Sequence, residues 1–227
     1  MGMKTFMQEL NGARVEGELI PTIVYSLLAS TIVFLIFYFT TLQKIANFFP
    51  KFGIYLFLGI ITYALALPAI RQVRAYGQFS CMSGMMIGMT LGMVVGFLTG
   101  YYIGATNGLF VGSVFGMVVG SALGIWLGSC CGVMGFMEGI MAGFMSGPMG
   151  AMTAVMLLND HLDAMAVIVL IFGAIILGAL NYMVYIEKKE FSREKKESQL
   201  LTILLSAALT GVTIYIAVFG PRSAIFN

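Results

Sequence analysis

Of the 227 residues, 59% are hydrophobic and only 10% are charged, and the formal net charge is +2. A soluble domain carries roughly a quarter of its residues as charges to solvate its surface, so this composition belongs in a lipid bilayer. The weak positive balance excludes a nucleic-acid partner: no basic patch is interleaved with aromatics, and the one dense basic run is matched by glutamates.

The first 19 residues form an N-terminal segment. Met3, Phe6, Met7 and Leu10 fall at i, i+3, i+4 and i+7, one apolar face of a short helix that Gly12 ends, and this helix is expected to lie in the membrane interface. The first long apolar run starts near Ile20 behind Glu9, Glu16 and Glu18. It is long for a signal-peptide core and lacks a basic flank, so it is expected to remain as a spanning helix.

Seven stretches are long enough to cross about 30 Å of hydrocarbon at 1.5 Å per residue: 20–42, 52–70, 81–103, 108–130, 132–158, 164–186 and 200–220. The fold class is thus an all-α integral membrane protein of about seven helices. Residues 20–80 supply two helices expected at the periphery, 81–158 a Gly- and Met-rich core, and 159–227 two further helices joined by a charged loop at 187–199. The breaks inside 81–158 rest on small polar clusters at 99–107 and 129–132, and six spans with one re-entrant element is the alternative count. Charge placement favours seven. The N-terminus and alternate loops then hold Lys4, Arg14, Arg71, Arg74, Lys188, Lys189, Arg193, Lys195 and Lys196, against Lys44, Lys51 and Arg222 opposite. Basic loops stay in the cytoplasm, which puts the N-terminus inside and the C-terminus outside, with the plasma membrane as the expected location.

From Gly84 to Gly132 a glycine recurs at every fourth residue, including Gly88, Gly92, Gly96, Gly112, Gly116 and Gly120. The phase then slips by one and continues through Gly135, Gly139, Gly143 and Gly147. Positions four apart make a ridge that drifts about 40° per step around a helix. In lipid such ridges let backbones approach closely, so a glycine-zipper core of spans three to five is expected. A ladder this long also suits packing between identical copies. The large Phe, Ile, Leu and Tyr residues of spans one, two, six and seven mark those as outer helices.

Methionine is the second anomaly: of 18, five lie in span three and seven in span five. Met137, Met141, Met145 and Met149 repeat every fourth residue in a row beside the glycines, as do Met85, Met89 and Met93. Converging ridges are expected to stack these sulfurs along the contact between the two spans. Thioethers suit Cu(I) and barely bind hard cations, for which the spans hold no oxygen cage apart from Glu138. The opposing reading is that flexible methionine fills irregular gaps beside glycine. The pairs Met85–Met89 and Met137–Met141 resemble the MxxxM element of the eukaryotic high-affinity copper transporters. The resemblance covers that motif alone, without the three-span architecture or the methionine-rich extracellular tail of that family.

Cys81, Cys130 and Cys131 form no disulfide framework and fall at the cytoplasmic ends of spans three, four and five, where thiols stay reduced and could take over a soft ion. They also read as small interfacial residues or acylation sites. Asp160, His161 and Asp163, between spans five and six, hold the only histidine and the only aspartates, which reads as a cation-collecting loop or a polar turn with Asp163 capping span six. Glu138 is the one acid well inside a span, which marks a proton or ion pathway or a protonated structural acid. Pro148 is expected to kink span five. No nucleophile–His–acid set, HExxH or GxxxxGK[ST] occurs, so an enzyme is not expected. Three readings follow: soft-metal handling with Cu(I) as the one candidate ligand, a membrane scaffold that packs with itself or a partner, and a proton or cation channel around Glu138.

Overall fold

The computed structural model describes residues 15–40, 52–76, 79–129, 132–188 and 199–223. The expected interfacial helix, Cys130, Cys131 and most of the charged loop lie outside the described residues. After one turn of 3-10 helix at Val15–Glu18 come seven α-helices: α1 (Leu19–Thr40), α2 (Ile54–Tyr76), α3 (Cys81–Asn107), α4 (Leu109–Gly128), α5 (Gly132–Met156), α6 (Leu162–Lys188) and α7 (Gln199–Phe219). At 20 to 27 residues each is about 30–40 Å long, and all seven are apolar enough to span a bilayer. The protein is an integral membrane protein in contact with lipid.

Among the described residues between 81 and 156 there are three full helices and no re-entrant element. One residue makes the first turn: α3 runs past the expected end at 103 to Asn107, and Gly108 at φ 106° reverses the chain into α4. Gly132, at φ 69°, opens α5 in the same left-handed region. A side chain is strained there, so these two members of the ladder are conformational rather than packing glycines. The others face inward. A Cβ at Gly116 would lie 2.7 Å from the Gly147 Cα and 2.7 Å from the Gly96 carbonyl oxygen. One at Gly120 would lie 3.0 Å from the Gly143 Cα, and one at Gly124 2.9 Å from that of Gly139. α4 therefore runs antiparallel between α3 and α5, while α3 and α5 meet side by side, with Gly104 against Ala151.

The other helices are not equally peripheral. α2 packs against α1, α3, α6 and α7 and is mostly buried, whereas most of α1 and α6 is not. The expectation that spans one, two, six and seven form an outer layer thus fails at α2. Tyr63, Leu67 and Ile70 are as apolar toward a neighbouring helix as toward lipid, so their size does not reveal which they face. α2 also continues beyond Ile70, because its charges find partners. The buried Arg71 donates to Glu18 Oε2 at 2.7 Å and to Thr22 Oγ1 at 3.0 Å, and Arg74 stacks over Trp126 of α4 at 4.8 Å. α5 is continuous through Pro148.

Candidate functional site: an outward methionine face and a buried hydroxyl chamber

The α5 glycines at 135, 139, 143 and 147 point toward α4. Methionines two residues away are rotated by about 200° and must point outward. Met137, Met141, Met145 and Met149 are each more than half exposed, at 51–58%. On α3 the offset from glycine is one residue, about 100°, so Met85 and Met93 are half-buried at the flank and Met89 is exposed. The expectation that sulfurs stack along the α3–α5 contact is corrected by this geometry: Ala142, Ser146 and Ala151 fill that contact instead. Met93 and Met149 share a surface groove of about 270 Å³ that they line with Phe97, Ser146, Val169 and Phe172.

The gap-filling reading does not account for the exposed α5 row, whereas Met85 and Met93 are half-buried and fit it. Every exposed methionine among the described residues lies on α3 or α5. The outward faces of α1, α6 and α7 carry Ile, Leu, Val, Phe and Tyr.

Cys81 is exposed at the start of α3, with a free thiol. Glu138 is half-buried on α5, one turn before Ala142 and two before Ser146, both of which face α3. In the 160–163 turn, Asp160 and His161 are exposed and 3.9 Å apart. Asp163 does not cap α6, which begins one residue earlier at Leu162; its carboxylate accepts a hydrogen bond from Tyr55 of α2 at 2.6 Å. Among the described residues no three His, Cys, Asp or Glu side chains gather as a metal site.

A second constellation was not anticipated. The buried face of α1 after Leu19 consists of Thr22, Ser26 and Ser30, and α7 buries Thr202, Ser206 and Thr210. These positions are 180 apart in sequence, and Thr210 donates to Ser30 at 3.1 Å, so two hydroxyl rows run side by side. They lead to a narrow chamber of about 20 Å³ among α2, α3 and α7. Tyr55 and Tyr63 of α2, Thr99, Tyr102 and Thr106 of α3, and Thr210 and Thr213 of α7 all line it. The signal was present as Ser/Thr at four-residue spacing in helices otherwise rich in branched residues.

Fold and sites define a polytopic helical membrane protein with an unusual sulfur-rich face. No protein-family model, curated protein or solved structure matches the chain.

Proposed function

We propose that this is a non-enzymatic membrane protein that binds or moves a soft metal ion, Cu(I) or Ag(I), on the thioethers of α5, within an assembly of identical copies. The observation that carries the reading is the outward methionine face of α5, in a bundle where, among the described residues, exposed methionines occur on no helix but α5 and α3. Lipid contact needs no sulfur, since Leu and Ile serve it equally well on α1 and α6. Thioethers coordinate soft monovalent ions, and one row supplies several weak sites at about 6 Å intervals. A second copy would bring sulfurs from the opposite side and complete coordination that one row leaves open. Glu138, beside this row, would balance the charge of the ion. The charge tally orients the chain with Cys81 toward the cytoplasm, a soft ligand where the ion would leave.

The test is Ag(I) or Cu(I) binding and uptake by liposomes carrying wild type or a Met137→Leu/Met141→Leu/Met145→Leu variant. Leucine nearly conserves volume and removes sulfur, so the fold is expected to persist. Binding by wild type and its loss in the variant is the expected result. If wild type binds no soft ion, or the variant binds as well, the close-packed α3–α5 core favours the scaffold reading, in which the methionine face only packs.

A further inference from the structure

We propose that the hydroxyl chamber holds one ordered water and is the centre of a proton path between Asp163 and Glu18. Its volume of about 20 Å³ suits a single water molecule. Its chemistry suits one equally. Thr99, Thr106 and Thr213 donate their protons to carbonyls one turn back in their own helices, leaving oxygen lone pairs free to accept. Thr62 likewise donates to Leu58, so in the 3.3 Å contact between Thr62 and Tyr102 the phenol is the donor.

Tyr63 is the exception. It is 1% exposed and lines the chamber, and no hydrogen bond of good geometry reaches its hydroxyl, although the Thr213 oxygen stands beside it. A buried phenol left unpaired is destabilising. A water that accepts from Tyr63 and donates to the threonine lone pairs satisfies it. A cation fits less well: the lining has no carboxylate, and a charge in a neutral site at this depth has nothing to offset its desolvation.

The chamber connects at both ends. Tyr55 belongs to its wall and donates to the exposed Asp163 carboxylate. Thr210 belongs to the opposite wall and donates to Ser30. From there buried hydroxyls recur at each turn of both helices, Ser26 and Thr22 on α1 and Ser206 and Thr202 on α7, down to Thr22, which accepts from Arg71 beside Glu18; the protons of Ser206, Ser26 and Thr22 rest on carbonyls of their own helices, and each turns away from its carbonyl to pass a proton on. The turns are about 6 Å apart, a gap that one water bridges. A hydroxyl both donates and accepts. Once each hydroxyl has turned toward the next group, an O–H bond forms on the receiving oxygen as its former O–H breaks onward, so a proton taken up by Asp163 leaves at Glu18; every intermediate group keeps its chemical form and turns back before the next transfer. The methionines and Glu138 have no part in this route.

Proteoliposomes with an entrapped pH-sensitive dye and a potassium diffusion potential test it. Wild type is expected to admit protons faster than protein-free vesicles, with Tyr63→Phe and Tyr55→Phe each slowed about tenfold. Tyr215→Phe, which removes an exposed phenol on α7, is expected to match wild type. Phenylalanine keeps the ring, and equal melting temperatures establish that the fold persists. A wild-type rate no faster than empty vesicles, or both chamber variants at the wild-type rate, overturns the proposal.

Discussion

Gly96 of α3 and Gly116 of α4 meet backbone to backbone: a Cβ at Gly96 would lie 3.1 Å from the Gly116 carbonyl oxygen, and one at Gly116 2.7 Å from that of Gly96. Neither contact leaves room for a methyl group without separating the helices. Since lipid tails are as apolar as leucine, close backbone contact is what holds such helices together, and losing it removes most of their attraction.

Gly116→Ala is therefore expected to destabilise the protein by about 1–3 kcal/mol, the usual cost of forcing extra volume into a packed contact. Gly178 on α6 is the control, because a Cβ there meets nothing within 4 Å. Gly178→Ala is expected to be neutral or to gain up to about 1 kcal/mol, as alanine replaces glycine inside a helix. Thermal melting in detergent reads both. Equal shifts in the two variants would show that the α3–α4 contact is not as close as described.

The same contact explains what the sequence disclosed and what it hid. Glycine at strict four-residue spacing reports close approach directly, because few other roles need that residue at every turn. Seven helices were legible for a similar reason, since apolar length and charge placement answer to the bilayer alone. The position of α2 was not legible, because leucine and isoleucine satisfy lipid and protein alike. The direction of the methionine row was present in the spacing. An offset of two residues from glycine is about 200° of rotation, so the row belongs behind the glycine face and not beside it. The chamber was hidden because its hydroxyls come from three helices far apart in sequence, and no single helix carries enough of them to mark a site.

Arg71 and Glu18 form the ion pair that ties the start of the chain to α2. Arg71 is only 8% exposed, so deleting its partner strands a buried charge; Glu18, at 34%, is partly screened by solvent. Glu18→Ala is expected to cost about 1–3 kcal/mol, below the range for a fully buried pair. Changing Arg71→Met as well is expected to recover much of the loss by removing the stranded charge. Chemical unfolding of the two single variants and the double variant measures the coupling. Additive losses would mean the pair contributes nothing jointly.

Topology follows from the nine-to-three split of basic residues. In a background with Cys81, Cys130 and Cys131 replaced by serine, single cysteines are placed at Ser192 and Asp160. With seven spans these positions lie on opposite sides, and an impermeant thiol reagent added to intact cells is expected to label only the Asp160 variant. Labelling of both from outside, or of Ser192 alone, would reverse or discard the orientation.

If the methionine face meets a second copy, its neighbours are fixed, whereas a lipid-facing surface has none. Helices in contact run with axes about 8–10 Å apart, so only a few positions bring Cβ atoms within the roughly 3.5–4.5 Å that a disulfide allows. Single cysteines scanned along 133–149 of α5 in the cysteine-free background are therefore expected to cross-link between copies with helical periodicity. Yields should peak in the row of Met137, Met141 and Met145 and fall to background at Gly139 and Gly143, whose faces are already occupied within one copy. Cysteines at Ile171 on α6 and Val212 on α7, about equally exposed at 53% and 50%, serve as controls and are expected to stay monomeric. Dilution into excess lipid before oxidation separates specific contact from chance collision, since collisional cross-links disappear on dilution and those of a standing interface persist. Cross-linking without periodicity, or equal yields at Ile171 and Val212, would leave the α5 face in lipid and deprive a shared soft-metal site of its second set of ligands.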